Sequence, residues 1–233
     1  MECAHSLVHR LSALLLLGGV LIFLRQLRRG PVRYGRYACS KYTIPARWAW
    51  FLQELPAFLV PVLLACTTDG STHGRRLLLC TFTLHYFHRA IVYPLLIRGR
   101  PIPAFIVVSS ELFCFFNGIL QSHTLLHCSF WFSQGLCLFA LGMILNIHSD
   151  HILRNLRRSG ETVYKIPRGG LFELVSGANF LAEILEWFGF AVVVWNLPGF
   201  SFFFFTVCSI GPRAIGHHRY CTVSIASENR TII

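Results

Sequence analysis

Apolar residues fall in long runs separated by short polar stretches, and the runs set the elements. The first covers about residues 11–24, flanked by Arg10 and by Arg25, Arg28 and Arg29. It has the length of a signal-peptide core, yet it ends in a basic cluster and lacks a small-residue cleavage site, which predicts an uncleaved first span. The basic stretch RQLRRGPVRYGRYACSKYTIPARW follows, and Gly30, Pro31 and Gly35 predict a loop there. Further spans are predicted over about residues 48–66, 77–97, 104–120, 130–147, 171–195 and 200–210, the last two joined by a tight turn at Pro198-Gly199. The expectation is an all-α polytopic membrane protein, a seven-transmembrane-helix bundle forming one membrane-embedded domain over residues 1–233, with no internal repeat.

Composition agrees with the runs. At 54% hydrophobic and 13% charged residues, with a mean hydropathy of +0.55, the 233-residue chain is too apolar for an ordinary soluble domain. A formal charge of +11 raises the question of nucleic acid, but no aromatic and basic binding motif accompanies it, so the expected partner is the lipid bilayer and not nucleic acid. With the spans threaded in order, every Lys and Arg except Arg10, Arg75, Arg76 and Arg89 falls on one side. The positive-inside rule makes that side cytosolic, which places the C-terminus in the cytosol and the N-terminus across the membrane. The nine cysteines are scattered without a C-x-x-C pair, mostly inside apolar runs, so neither a disulfide framework nor a zinc site is expected.

Two groups of polar residues stand out against this background. The stretch from Asn146 to Trp187 carries Asp150, Arg154, Arg157, Arg158, Tyr164, Lys165, Arg168, a Gly169-Gly170 pair, Asn179, Glu183 and Glu186. Cations, glycines that let backbone approach a ligand, and exposed helix ends make a cradle for an anionic, phosphate-bearing cofactor. A cytoplasmic loop made basic by topology alone would have the same charge. The second group lies inside the spans. A charged carboxylate at the bilayer centre costs roughly 2.5 to 3.5 kcal/mol, so Glu54 is expected to face a cavity or to be protonated. A neutral Glu54 can donate a hydrogen bond to a buried carbonyl, and so can Tyr86 on the next span. The structural alternative pairs Glu54 with Arg89 or His85. Glu111 and Asn117 are expected near the ends of the fourth span, where snorkelling or helix–helix bonding accounts for them.

The pairs His85-x-x-His88, His148-x-x-His151 and His217-His218 invite comparison with membrane di-iron hydroxylases and desaturases. A shared di-iron centre wants its ligands at one depth, whereas His85 and His88 belong inside the third span, and fuller HxxHH boxes are missing. No metal is expected.

The segments QELP (53–56), HYFHR (85–89), RGRP (98–101), NIHSDHILRNLR (146–157), YKIPRGGLFE (164–173), SGANFLAEILEW (176–187) and HHR (217–219) are together similar to the steroid 5α-reductase family, types 1 and 2, in the same order from about residue 30 to 220. QELPAF and SGANFL look like type 2, NIHSDHILRNLR and YKIPRGGLFE like type 1. The resemblance implies a seven-helix enzyme of the endoplasmic reticulum membrane that uses NADPH to reduce the Δ4 double bond of 3-oxo-steroids such as testosterone. It implies that Glu54 and Tyr86 hydrogen-bond the steroid 3-oxo group. It also implies that Arg100, Asn146, Asp150, Arg157, Tyr164, Asn179, Glu183, Arg213 and His217 hold NADPH. The chemistry is consistent: a hydride delivered to C5 pushes electrons toward the 3-oxo oxygen, where donors stabilise the developing enolate. There is no G-x-G-x-x-G, so no Rossmann domain is implied.

The chain departs from the family at its end. In the family, HHR is followed by an aromatic residue, a Tyr and a basic tail; here Tyr220 keeps the aromatic, Cys221 replaces the Tyr, and residues 218–233 read as an atypical tail. A catalytically impaired splice product is therefore one alternative. A transporter or receptor is another, opposed by the very short connecting loops. A monomer is expected.

Overall fold

The structure, a computed structural model, describes residues 4–30, 41–68, 73–128, 135–156 and 165–230, the side chains of Tyr220 and residues 222–230 excepted. It is built from helices α1 (His5–Arg29), α2 (Ala46–Thr67), α3 (His73–Phe87), α4 (Tyr93–Leu96), α5 (Ala104–His127), α6 (Leu136–Asn155), α7 (Ala178–Val194) and α8 (Leu197–Arg230). A π turn, His88–Val92, carries α3 into α4, and a 3-10 turn, Gly170–Glu173, precedes α7. A short antiparallel pair, β1 (Thr43–Ile44) with β2 (Ile102–Pro103), sets Thr43 opposite Pro103 and Ile44 opposite Ile102.

Local sequence explains the starts and turns. Pro45 and Pro103 stand immediately before α2 and α5 with φ of −52° and −55°, where the missing N–H removes no helical bond. Trp195, at φ 38°, breaks the path after α7. The Asn196 side chain then accepts from Gly199 N–H at 2.8 Å and caps the start of α8.

Among the described residues, five helices are long and apolar enough to cross a membrane: α1, α2, α5, α6 and residues Leu197–Arg219 of α8. The expected third span coincides with α3, the π turn and α4, and the sixth with α7, whose 17 residues leave it outside those five. Span limits are corrected: the first helix covers His5–Arg29, the fifth span lies on Leu136–Asn155 and the sixth on Ala178–Val194. The fourth continues past residue 120 to His127, because its polar residues bond within the fold and do not break it. Thr124 Oγ1 returns to Leu120 O at 2.7 Å, and Gln121 Nε2 reaches Asn117 Oδ1 at 3.1 Å and Pro198 O at 3.0 Å. Asn117 is therefore a fully buried mid-helix residue, not one near a span end. The last span starts at Leu197 and ends at Arg219, while α8 itself runs through Pro212 to Arg230. The cysteines are corrected too: Cys128 is disulfide-bonded, while Cys66, Cys80, Cys114, Cys137, Cys208 and Cys221 are free.

The distribution of side chains is inverted relative to a water-soluble bundle. Leu14, Leu63 and Ile144 are more than 60% exposed, whereas Asn117, Gln121 and Ser149 are at most 1% exposed. Apolar atoms facing out and amides facing in suit a hydrocarbon solvent.

The chain divides into two compact units. The first holds the start of α1, β1, β2, α2 to α5 and the opening turns of α8. Within it α2 packs closely on α5: a Cβ added at Gly118 would lie 3.3 Å from Pro56 O and 3.4 Å from Ala57 Cα. Beside the β pair, Ala49, Ile102 and Val107 pack with Ile44, Trp50 and Ile106. The second unit holds the rest of α1, α6, α7 and the remainder of α8. There α6 and α7 meet along glycines, Gly142 against the backbone of Glu186 and Gly189 against that of Phe139. Phe139, Trp187 and Phe190 stack beside the seam with ring centroids 5.8 to 6.4 Å apart. Gln26 of α1 donates to Cys208 O and Ser209 O of α8 at 3.2 and 3.0 Å.

Candidate functional site

The first unit carries Glu54, Tyr86, Arg89 and Arg100. Glu54 lies on α2, half-buried, two residues before Pro56, whose ring nitrogen cannot bond the carbonyl of Leu52. Its two carboxyl oxygens have different partners. Gln53 Nε2 donates to Oε1 at 3.2 Å, and Cys114 Sγ of α5 donates to Oε2 at 3.6 Å. Tyr86, on α3, is buried against Phe82 and His85, with ring centroids 4.8 and 5.0 Å away. Arg89 follows in the π turn, a distortion frequent at functional sites. Its guanidinium lies over the Trp50 ring at 4.8 Å and the Tyr93 ring at 5.2 Å, so two aromatic faces stabilise this buried cation. Arg100 belongs to this unit as well, exposed in the turn between α4 and β2.

The second unit brings together most of the residues expected around a nucleotide. Asn146 and Asp150, one turn apart on α6, are both buried, and Asn146 Nδ2 donates to Asn179 O at 3.3 Å. Glu183 follows one turn after Asn179 on α7, half-buried. Arg213 and His217 lie one turn apart on α8, both half-buried. This part of α8 is tied to the start of α7 by Ser176 Oγ and His218 Nδ1 at 2.7 Å, and by Ala214 close against Gly177. His217 Nε2 faces Cys221 Sγ at 3.7 Å. Arg157 and Tyr164 lie outside the described residues.

The glycine pair has a packing reason of its own. Gly169 and Gly170 have φ of 91° and 55°, and a Cβ at Gly170 would lie 2.5 Å from His148 Cε1. The Gly169 N–H donates to Glu173 Oε1 at 2.6 Å, so this amide already has an anionic acceptor within its own turn.

Asn146, Asp150, Asn179 and Glu183 are the amides and carboxylates that suit ribose and carboxamide groups, and Arg213 and His217 suit phosphate. One observation fits a polar ligand beside them. The Ser149 hydroxyl, adjacent to Asp150 and one turn from Asn146, is fully buried and has no hydrogen-bond partner among the described residues. No group of side chains suited to a metal ion occurs among the described residues. Three side chains were not foreseen from sequence: Gln53, Cys114 and Ser149. The one local signal was for Gln53, a polar neighbour of Glu54 in the same apolar run; nothing in the spacing pointed to Cys114.

Several apolar helices with polar side chains buried among them define a multi-pass helical membrane protein. The family model described as 3-oxo-5-alpha-steroid 4-dehydrogenase matches residues 100–227. The chain is 46% identical over 235 residues to 3-oxo-5-alpha-steroid 4-dehydrogenase 2 of Homo sapiens, covering 94% of this chain and 91% of that protein. It is 48% identical over 205 residues to the type 2 protein of Rattus norvegicus, covering 82% and 81%. It is 45% identical over 227 residues to 3-oxo-5-alpha-steroid 4-dehydrogenase 1 of Mus musculus, covering 90% and 89%. The chain belongs to the 3-oxo-5-alpha-steroid 4-dehydrogenase family.

Proposed function

We propose that this chain reduces the Δ4 double bond of a 3-oxo-steroid with NADPH, testosterone to 5α-dihydrotestosterone being the type reaction, as a monomeric enzyme of the endoplasmic reticulum membrane. Family membership supports the steroid chemistry, since the relatives are named for it. The observation that carries the reading is Glu54, a half-buried carboxyl with one oxygen held by an amide and the other by a thiol, on a helix apolar enough to span a bilayer. In its protonated form this carboxyl is a hydrogen-bond donor.

The residues then have the following roles. Tyr86 O–H and Glu54 O–H donate to the steroid 3-oxo oxygen and strengthen their hold as negative charge builds there. The apolar spans exclude water and enclose a ligand that is itself mostly hydrocarbon. Asn146, Asp150, Asn179 and Glu183, together with Arg100, Arg157, Tyr164, Arg213 and His217, bind and orient the cofactor. Bound there, NADPH supplies the hydride that reaches C5.

We further propose seven spans, α3 to α4 and α7 being the two beyond the five apolar ones, with the whole chain as one catalytic domain and the C-terminus cytosolic. The charge bias supports that orientation. So does Cys128: a disulfide at the end of α5 belongs in an oxidising compartment, across the membrane from the basic loops.

Steroid turnover in membranes with NADPH tests the central reading. Glu54→Gln and Tyr86→Phe are each expected to lower kcat/KM by about 100-fold or more, the scale seen when an oxyanion donor is lost. Unchanged turnover in both variants would overturn the assignment of the carbonyl donors.

A further inference from the structure

We propose that the end of the first unit carrying the β pair is a docking surface for an anionic phospholipid head group, held by Lys41, Arg47 and Arg98. Backbone contacts bring these three cations together. The β pair joins the segment before α2 to the segment before α5, and Ala104 N–H donates to Tyr42 O at 3.0 Å, so Lys41 sits beside the start of α5. Gly99 lies on Ala46, for a Cβ added at the glycine would be 3.2 Å from Ala46 Cβ. That contact sets Arg98, one residue before the glycine, near Arg47, one residue after the alanine. Arg100 follows the same glycine and stays with the cofactor, to which it is assigned above.

The three cations are exposed, and none has a hydrogen-bond or ion-pair partner among the described residues. The sequence supplies no counter-charge nearby, since residues 31–53 and 88–110 contain no Asp or Glu. Their apolar neighbours fix the depth. Trp48, next to Arg47, is 60% exposed, and Phe105, at the start of α5, is 61% exposed. On helices apolar enough to cross a bilayer, such surface faces hydrocarbon, and aromatic rings are favoured at its border. A helix rises about 1.5 Å per residue, so a cation one residue from Trp48 lies at the level of the lipid phosphates. The anions present at that level belong to lipids, and charge complementarity selects them as the occupant. A rim made basic by topology alone would be as exposed, but it would not distinguish an anionic head group from a zwitterionic one.

The test titrates short-chain phosphatidylserine, short-chain phosphatidylcholine and inorganic phosphate into the full chain in detergent and follows the unfolding midpoint. For the wild type, phosphatidylserine is expected to raise the midpoint at concentrations where the other two leave it unchanged. Each cation near a charged head group is worth about fivefold in binding, so the combined Lys41→Gln, Arg47→Gln and Arg98→Gln variant is expected to bind phosphatidylserine at least about tenfold more weakly. Arg47→Lys with Arg98→Lys keeps the charge and is expected to stay within about threefold of wild type. The midpoint without lipid shows whether each variant is folded. If the combined variant does not fold, Lys41→Gln alone, at an exposed residue ahead of β1, is expected to weaken binding about two- to fivefold. Equal responses to the two lipids, or wild-type affinity in the glutamine variants, would overturn the docking surface. So would inorganic phosphate acting as well as phosphatidylserine, which would make this a site for free anions.

Discussion

Gly142→Ala tests whether the α6–α7 seam holds the nucleotide residues in register, and it touches none of them. A methyl at residue 142 would lie 2.5 and 2.7 Å from Glu186 Cα and Cβ, and closer still to the Glu186 backbone nitrogen. Ordinary carbon contacts are about 3.5 to 4.0 Å, so α7 must retreat by about 1 Å. The Asn146 Nδ2 to Asn179 O bond is 3.3 Å long as it stands, and a retreat of that size takes it beyond hydrogen-bond range. Overpacking of this kind destabilises by about 1–3 kcal/mol, and the lost bond adds about 1 kcal/mol. Asn146 and Asp150 would then be out of step with Asn179 and Glu183, and NADPH affinity is expected to drop about tenfold or more, the equivalent of about 1.4 kcal/mol. The assay is thermal unfolding of detergent-purified protein with and without NADPH, with Kd from the cofactor-dependent shift. An unfolding midpoint and an affinity both equal to wild type would refute the reasoning, because a methyl cannot share that space unless the seam is looser than described.

Two further outcomes follow from named contacts. Cys221→Tyr, which restores the residue type of the family pattern next to His217, is expected to tighten NADPH binding about three- to tenfold by adding a rigid ring and a hydroxyl, read out by titration; no change would mean that residue 221 lies outside the cofactor's reach. Gln121→Leu removes the donor to Asn117 Oδ1 and Pro198 O, so unfolding is expected to become easier by about 1–3 kcal/mol, measured by chemical denaturation in detergent micelles.

Most of the helical layout was legible in the runs of apolar residues, because a bilayer demands length and hydropathy before detailed packing. What the runs could not locate were helix ends determined by polar residues. Gln121, Ser122 and Thr124 look like the close of a span, yet each bonds to a carbonyl or amide inside the fold, and α5 continues to His127. The glycine pair at 169–170 was read as letting backbone approach a ligand, and both residues have positive φ. Its amide, however, is engaged by Glu173, a turn-specific contact that composition does not encode. Glu54 drew notice through the penalty for burying a charge. Cys114 did not, because a cysteine in an apolar run is by default a small hydrophobe, and only the approach of α5 to α2 at Gly118 gives its thiol an acceptor. Cys128 was misread for the same reason: pairing depends on distances in space that spacing along the chain does not report.

The treatment of hydroxyls in the apolar helices separates scaffold from site. Thr81, Thr83, Thr124 and Ser201 return their hydroxyls to carbonyls three or four residues earlier at 2.7 to 2.9 Å, which satisfies them without outside help. Ser12 and Ser149 do not. Ser12 is surrounded one turn away by Val8, Leu15, Leu16 and an exposed His9, so nothing around it forms a polar stripe. Ser149 differs, because Asn146 precedes it by one turn and Asp150 follows it, both buried. A buried hydroxyl without a partner carries a desolvation penalty of about 1–3 kcal/mol. What separates Ser149 from the hydroxyls of α3 and α5, which close on their own helix, is the missing partner, and this supports the nucleotide-binding role proposed for this segment of α6.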